Sequence, residues 1–449
     1  MKNDYLVRKK PLNALLIFAL PIVIGNLFQQ LYTMADSAIV GRYVSEGALA
    51  AVGASYSLTN VFICIAVGGG MGASVVVGRY YGAHRYTDVK RAFTTSFIAF
   101  GVLSLLLGGI GLLFSRQIMI LLQTPEDVLD QAAEYLNIYF LGLPFLFLYN
   151  ILSSMFNALG KSRIPLYFLI FSSVLNVALD LLMVTVLQWG VAGVAWATLI
   201  AQGLSAVLSF LFFIRELKAL HCGKAPLFDT TELSTMTRIA LPSMLQQSTV
   251  SIGMMLVQSV VNSFGSQALA GFSAGMRIES LCIVPMISIG NALSAYTAQN
   301  IGAGQYDRVT SGYHIANRMV IVCAVFLCIA LELFYRPFIT FFLGDSGTAT
   351  ALETGENYLR FIGWFFCLIG FKMAVDSLLR GAGDMKMFTI ANLVNLLVRV
   401  AVAMIFAPIW GIAMVWYAVP IGWFLNWLIS YRQYRTGKWR RIYQKGDAQ

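Results

Sequence analysis

Twelve stretches of this chain are too long and too apolar for a water-soluble core. They run roughly over 13–40, 47–78, 93–114, 132–158, 164–187, 190–214, 237–264, 272–300, 316–343, 355–380, 387–408 and 411–433. A helix crosses a bilayer's hydrocarbon with ~20 apolar residues. Each window is apolar on most faces, the pattern of a helix buried in lipid or in a bundle. Strands of a membrane barrel would instead alternate over ~10 residues, and none of these segments does. Composition agrees: 58% of residues are hydrophobic and 12% charged, about half the charge of a soluble protein at roughly 25%. Mean hydropathy is +0.73. A soluble enzyme, a disordered protein and a secreted disulfide scaffold are excluded, and the expected fold is an all-α polytopic membrane protein with twelve transmembrane helices.

The net charge of +10 is informative through its placement. With the N-terminus inside, 24 of the 31 Lys and Arg fall in cytoplasmic pieces, against three (Arg42, Arg116, Arg336) outside. This positive-inside bias puts both termini in the cytoplasm, and the expected location is the plasma (inner) membrane. The basic start, MKNDYLVRKK, lacks a small-residue cleavage site after it and is expected to be retained. The six cysteines (Cys64, Cys222, Cys282, Cys323, Cys328, Cys367) show no metal-binding spacing and read as free thiols. His84, His221 and His314 fall in or beside connectors, with no catalytic arrangement around them.

The chain also repeats itself at a spacing of 220 to 223 residues. Leu20-Pro21 returns as Leu241-Pro242, Ala48-Leu49-Ala50 as Ala268-Leu269-Ala270, Gly82-Ala83 as Gly302-Ala303, Tyr135-Leu136 as Tyr358-Leu359, and Trp189-Gly190 as Trp410-Gly411. The tract 157–163 answers 380–386. Two six-helix lobes are therefore expected, 1–214 and 237–449, joined by a polar cytoplasmic linker at 215–236. Six spans is an even number, so the lobes are parallel repeats about an axis along the membrane normal, a build that places a transport pathway between halves.

Shared residues report scaffold, so function is sought where the lobes differ. The first lobe carries Asp36 in span 1, Asn176 and Asp180 in span 5, and Thr198 in span 6; the repeat puts Leu256, Arg399, Ala403 and Val419 in their places. Asp180 lies ~10 Å and Thr198 ~12 Å inside the external ends of their spans at 1.5 Å per residue. Asp36 lies near the external end of span 1, so the three share a level. Asn176, at i−4 from Asp180, faces the same way. A carboxylate at such depth costs at least ~2.5 kcal/mol. Two together can share a proton near pH 7, and with the amide and hydroxyl they offer hard oxygens to Na⁺. This set reads as a coupling-ion site, with a hydrogen-bonded carboxylate pair satisfied inside the bundle as the structural alternative.

These residues resemble the multidrug and toxic compound extrusion (MATE) family over nearly the whole chain. The carriers are Pro21 followed by Asp36 in MADSAIVGRY, NVALD (176–180), Thr198 in GVAWATL, and the loop VVVGRYYGAHRYTDVKRA with its echo AQNIGAGQYDRV. The resemblance implies export of amphipathic, mainly cationic drugs or metabolites in exchange for H⁺ or Na⁺. It implies a cation site at Asp36, Asn176, Asp180 and Thr198, and a hinge at Pro21. One branch of the family has further acids in spans 7 and 10. Here span 7 offers Gln246, Gln247 and Gln258, and Asp376 in span 10 is out of register with that branch.

Arg399, mid-span, must pair or face water; Asp376, Glu279 and a substrate anion are its possible partners. With Asp376 and the three glutamines it makes up the candidate polar residues of a C-lobe cavity. Lys372 and Asp376 are spaced to pair at i,i+4. Glu279 and Arg277 open span 8, and Glu332 lies towards the outer end of span 9. Methionines 244, 254, 255 and 276 fit either packing or an adaptable cavity wall. No phosphate-binding GxxxxGK[ST] loop occurs, and no nucleophile or metal constellation suggests an enzyme. The expectation is a monomeric antiporter in the lipid bilayer, with a small-molecule substrate, no nucleic-acid partner and no cofactor beyond the coupling ion. The alternative is a flippase or exporter of lipid-linked oligosaccharide or other anionic cargo.

Overall fold

The computed structural model describes residues 4–44, 46–122, 124–220, 223–344 and 347–442; His221 and Cys222 lie outside them. The described chain is helical. It runs α1 (Tyr5–Arg8), α2 (Pro11–Tyr43), α3 (Glu46–Gly82), α4 (Tyr86–Leu121), α5 (Glu126–Ala158), α6 (Arg163–Leu181), a π-helical turn (Leu182–Val186), and α7 (Gly190–Ala219). After the connector come α8 (Thr230–Asn262), α9 (Ser266–Gly302), α10 (Tyr306–Leu343), α11 (Ala349–Gly363), α12 (Phe366–Ala382), α13 (Met385–Trp410), α14 (Ala413–Arg435) and a 3₁₀ turn (Lys438–Arg441). Helices are what a bilayer permits, because each backbone amide must be satisfied within its own segment.

Among the described residues, ten helices are long and apolar enough to cross a membrane, and the pair α11–α12 makes an eleventh. That pair occupies the expected span at 355–380 as two helices: the chain bends by 54° at Trp364-Phe365. The Phe365 N–H bonds Ile362 O at 2.9 Å, a tightened turn, and the Trp364 indole turns outward to donate to Glu332 at 2.9 Å. The remaining expected span is α8. Its 33 residues reach ~50 Å at 1.5 Å each, but Ser243, Gln246, Gln247, Thr249 and Ser251 lower its hydropathy.

The chain forms two compact units. One comprises Ile24–Met244; the other comprises Leu245–Gln449 together with the chain up to Val23. The division falls inside α2 and α8, two residues beyond Pro21 and Pro242. In the first unit, Phe62, Ala66, Leu136, Phe140 and Phe147 form a core among α3, α4 and α5. There Gly111 lets α4 close on α5, since a Cβ would stand 2.4 Å from the Phe140 ring. In the second unit, Phe272, Met286, Tyr358, Phe366 and Trp416 gather α9, α11, α12 and α14. A Cβ on Gly271 would stand 2.0 Å from Ala351 O, so only glycine allows that helix contact. The equivalent third spans, α4 and α10, expose Leu105, Leu113, Val322 and Phe326, side chains suited to lipid.

Polar contacts explain why the starts of α2 and α8 group as they do. Arg308 donates to Leu6 O at 3.2 Å and Lys9 O at 2.7 Å, and Asn300 Nδ2 donates to Leu6 O at 3.2 Å. These fix the first turns of the chain on the α9–α10 hairpin. Correspondingly, Glu232 at the start of α8 accepts from Arg91 at 2.6 Å and from the Tyr80 hydroxyl at 2.8 Å, on the α3–α4 hairpin. In the repeat register Tyr80 answers Asn300. Glu232 is 4% exposed, so Arg91→Met leaves a buried carboxylate short of its cation. The expected loss is about 2 kcal/mol of stability, the weight of a hydrogen bond to a charged group. Detergent-solubilised protein should show it as a lowered denaturation midpoint that Arg91→Met/Glu232→Gln partly restores.

Among the described residues no disulfide joins Cys64, Cys282, Cys323, Cys328 or Cys367. Lys372 and Asp376 form the expected pair at 3.2 Å, both buried. Among the described residues no group of three His, Cys, Asp or Glu could hold a metal.

Candidate functional site

Within the Ile24–Met244 unit, three helices bring the four singled-out side chains together. Asp36 lies one turn beyond Tyr32 on α2. Asn176 and Asp180, again one turn apart, lie near the end of α6, and Thr198 lies on α7. Asn176 is 2% and Asp180 0% exposed. The Asn176 amide satisfies both its ends when its nitrogen donates to Asp180 Oδ2 (3.3 Å) and the Tyr32 hydroxyl (2.5 Å). Its oxygen then accepts from the Thr198 N–H (3.0 Å) and hydroxyl (3.3 Å). Asn176 thereby ties α6 to α2 and α7. The π-helical turn begins two residues after Asp180; such local widenings recur at functional positions in helices.

The Asp36 and Asp180 carboxyls lie within electrostatic reach of each other. Two carboxylates this close repel when both are ionised, and a proton or cation between them removes the repulsion. Asp36 Oδ1 and Asp180 Oδ1 are both buried without a hydrogen-bond partner. Two orphaned carboxylate oxygens fit a proton or a small hard cation. The site has a neighbouring cavity of about 20 Å³ lined by Tyr135, Tyr139, Leu146, Ala195, Thr198 and Gln202, which is room for about one water.

Tyr32 and Tyr135 are the residues that the sequence reading missed. Tyr135 faces Asp36 and Asp180 electrostatically. Tyr32 carries the same i,i+4 signal as Asn176–Asp180, but a tyrosine in an apolar helix also reads as packing. Tyr135 is shared with Tyr358, so a search for differences between lobes passes over it.

The five C-lobe candidates differ in their partners and exposure. Asp376 accepts from Ser430 at 2.6 Å and Asn392 at 3.2 Å, inside its network with Lys372. Gln246 is buried with Oε1 unpaired, Gln247 is half-buried and Gln258 exposed. Arg399 instead lies within electrostatic reach of Glu279 and Tyr358. Pro21 lies within α2, which continues helically through it.

Comparison with known proteins follows the same repeat. The MatE family profile matches residues 21–182 and again 242–405. A probable multidrug resistance protein of Bacillus subtilis (strain 168), YpnP, is 28% identical over 432 residues, covering 96% of each chain. A FAD transporter of Shewanella oneidensis (strain MR-1) is 25% identical over 354 residues, covering 77% of each. In three dimensions the chain matches a crystal structure of MATE in complex with MaL6 with a TM-score of 0.92 at 22% identity. That match covers 98% of this chain and 100% of the other, a likeness of fold.

Proposed function

Because this chain belongs to the MatE family of membrane transporters, we propose that it is a secondary active antiporter. Its cargo is an amphipathic, cationic drug or metabolite leaving the cell, exchanged for H⁺ or Na⁺. The observation that carries the reading is the pair of orphaned, buried carboxylate oxygens on Asp36 and Asp180, held beside Asn176 and Thr198. Relatives named as multidrug resistance proteins support drugs as the cargo. The placement of Lys and Arg supports a plasma-membrane protein with both ends in the cytoplasm.

The mechanism follows from linkage. A ligand shifts a two-state equilibrium only by its differential affinity for the states. An external cation neutralises the Asp36/Asp180 pair and favours the state that releases cargo outside; its departure inward resets the pair. Exchange of one monovalent cation for a singly charged cargo moves no net charge, so the ion's own gradient drives export: a tenfold ratio supplies about 1.4 kcal/mol, enough for about tenfold uphill transport. Asn176 and Tyr32 couple the charge on Asp180 to the position of α2, because the amide spans both.

The test is efflux in inverted membrane vesicles with Na⁺ and pH gradients imposed separately. Accumulation of a cationic dye should require one gradient and collapse with it. Accumulation indifferent to both removes the antiport reading. The relative named a FAD transporter makes an anionic flavin the second cargo to offer the same vesicles.

A further inference from the structure

The two halves of the chain treat equivalent positions in opposite ways. In the repeat register set by Tyr135-Leu136 and Tyr358-Leu359, Tyr358 answers Tyr135 and Arg399 answers Asn176; the ends of the paired profile matches, 182 and 405, lie at the same offset. Tyr135 faces the carboxylates of the first unit. Tyr358 likewise meets a carboxylate: its hydroxyl donates to Glu279, brought from α9. Glu279 is 6% and Tyr358 1% exposed. Where Asn176 gathers polar oxygens around an exchangeable charge, α13 presents a guanidinium. Arg399 makes no ion pair within 4 Å among the described residues, and its Nε is buried without a partner, yet it lies within electrostatic reach of Glu279.

We infer that Glu279, Tyr358 and Arg399 form a second cation site whose occupant is tethered, the Arg399 side chain standing where the first unit takes an ion from solution. An ionised carboxylate inside a membrane must have a compensating charge, and a guanidinium stays protonated throughout. The site is therefore permanently filled and takes no part in exchange. It would accept H⁺ or Na⁺ if the arginine were removed. The groups facing Glu279 are Tyr358 from α11, Arg399 from α13 and Cys282 from its own helix; apart from Arg399 they supply no positive charge. This inference rests on the exchange role proposed for Asp36 and Asp180, because it explains why that role belongs to one unit.

The experiment uses the full chain purified in detergent, titrated with acid in sodium-free solution and separately with NaCl at fixed pH. Bound protons and sodium ions are counted per chain. Arg399→Met should take up one more cation than the wild type, and Arg399→Met/Glu279→Gln should lose the gain. The double variant carries neither charge and keeps the fold within reach if the single one is unstable: its count must then equal the wild type's. Equal uptake by wild type and a folded Arg399→Met overturns the inference, as does a gain that survives Glu279→Gln. Repeating the series with Asp36→Asn separates the two sites. Failure of the first-unit reading leaves uptake unchanged by Asp36→Asn, whatever Arg399→Met does.

Discussion

Asp36→Asn should yield a folded transporter that no longer concentrates its cargo. In vesicles with a hundredfold gradient of the coupling ion and no membrane potential, the limit of about 100-fold for one-for-one exchange should fall to roughly one, the value for passive equilibration. Asparagine keeps the volume and its amide can donate to a neighbouring carboxylate, so packing around the 0%-exposed Asp180 is preserved. What is lost is the second charge that makes the pair demand a cation. Asp180→Asn should behave alike, whereas Thr198→Val, which removes one neutral oxygen, should weaken coupling without abolishing it. Gradient-driven accumulation measured alongside a denaturation midpoint separates lost coupling from lost fold. Wild-type accumulation by Asp36→Asn would sink the proposal.

The largest effect on stability should come from Lys372→Met. Lys372 Nζ bonds Asp376 Oδ2 at 3.2 Å and Asn392 Oδ1 at 3.1 Å. Asn426 and Ser430 extend this network onto α14, so α12, α13 and α14 are joined by one buried polar cluster. Removing the lysine leaves the Asp376 carboxylate, 1% exposed, without its ion-pair partner and with Arg380, one turn on, as the remaining cation within electrostatic reach, at an expected cost of about 3 kcal/mol. Lys372→Met/Asp376→Leu removes both charges and should recover most of that loss. Denaturation of the single and double variants in detergent checks it. A double variant no more stable than the single one would show that the pair is not what Asp376 depends on.

Much of this was legible in the residues. Long apolar windows imply spans because hydrocarbon sets the length. The Lys372–Asp376 spacing implies a pair because one helical turn brings i and i+4 together. The meeting of Asp36, Asn176, Asp180 and Thr198 follows from the same turn and from equal depth on three helices. The break at Trp364-Phe365 left no mark, because a bent pair of apolar helices has the same hydropathy as a straight one. The grouping of the starts of α2 and α8 was also hidden. It depends on Arg308 and Arg91 reaching segments far away in sequence, and connector arginines read only as topology signals. Among the partners conceivable for Arg399, periodicity had no means of choosing Glu279, which is 120 residues away on α9.

The most direct measurement is ion release on cargo binding. In weakly buffered detergent solution, adding tetraphenylphosphonium to the wild type should discharge a proton, or a sodium ion from protein pre-equilibrated with NaCl. The Asp36→Asn/Asp180→Asn variant should discharge neither. Binding by the wild type with no ion released, or equal release by the double variant, would contradict the assignment of exchange to this carboxylate pair.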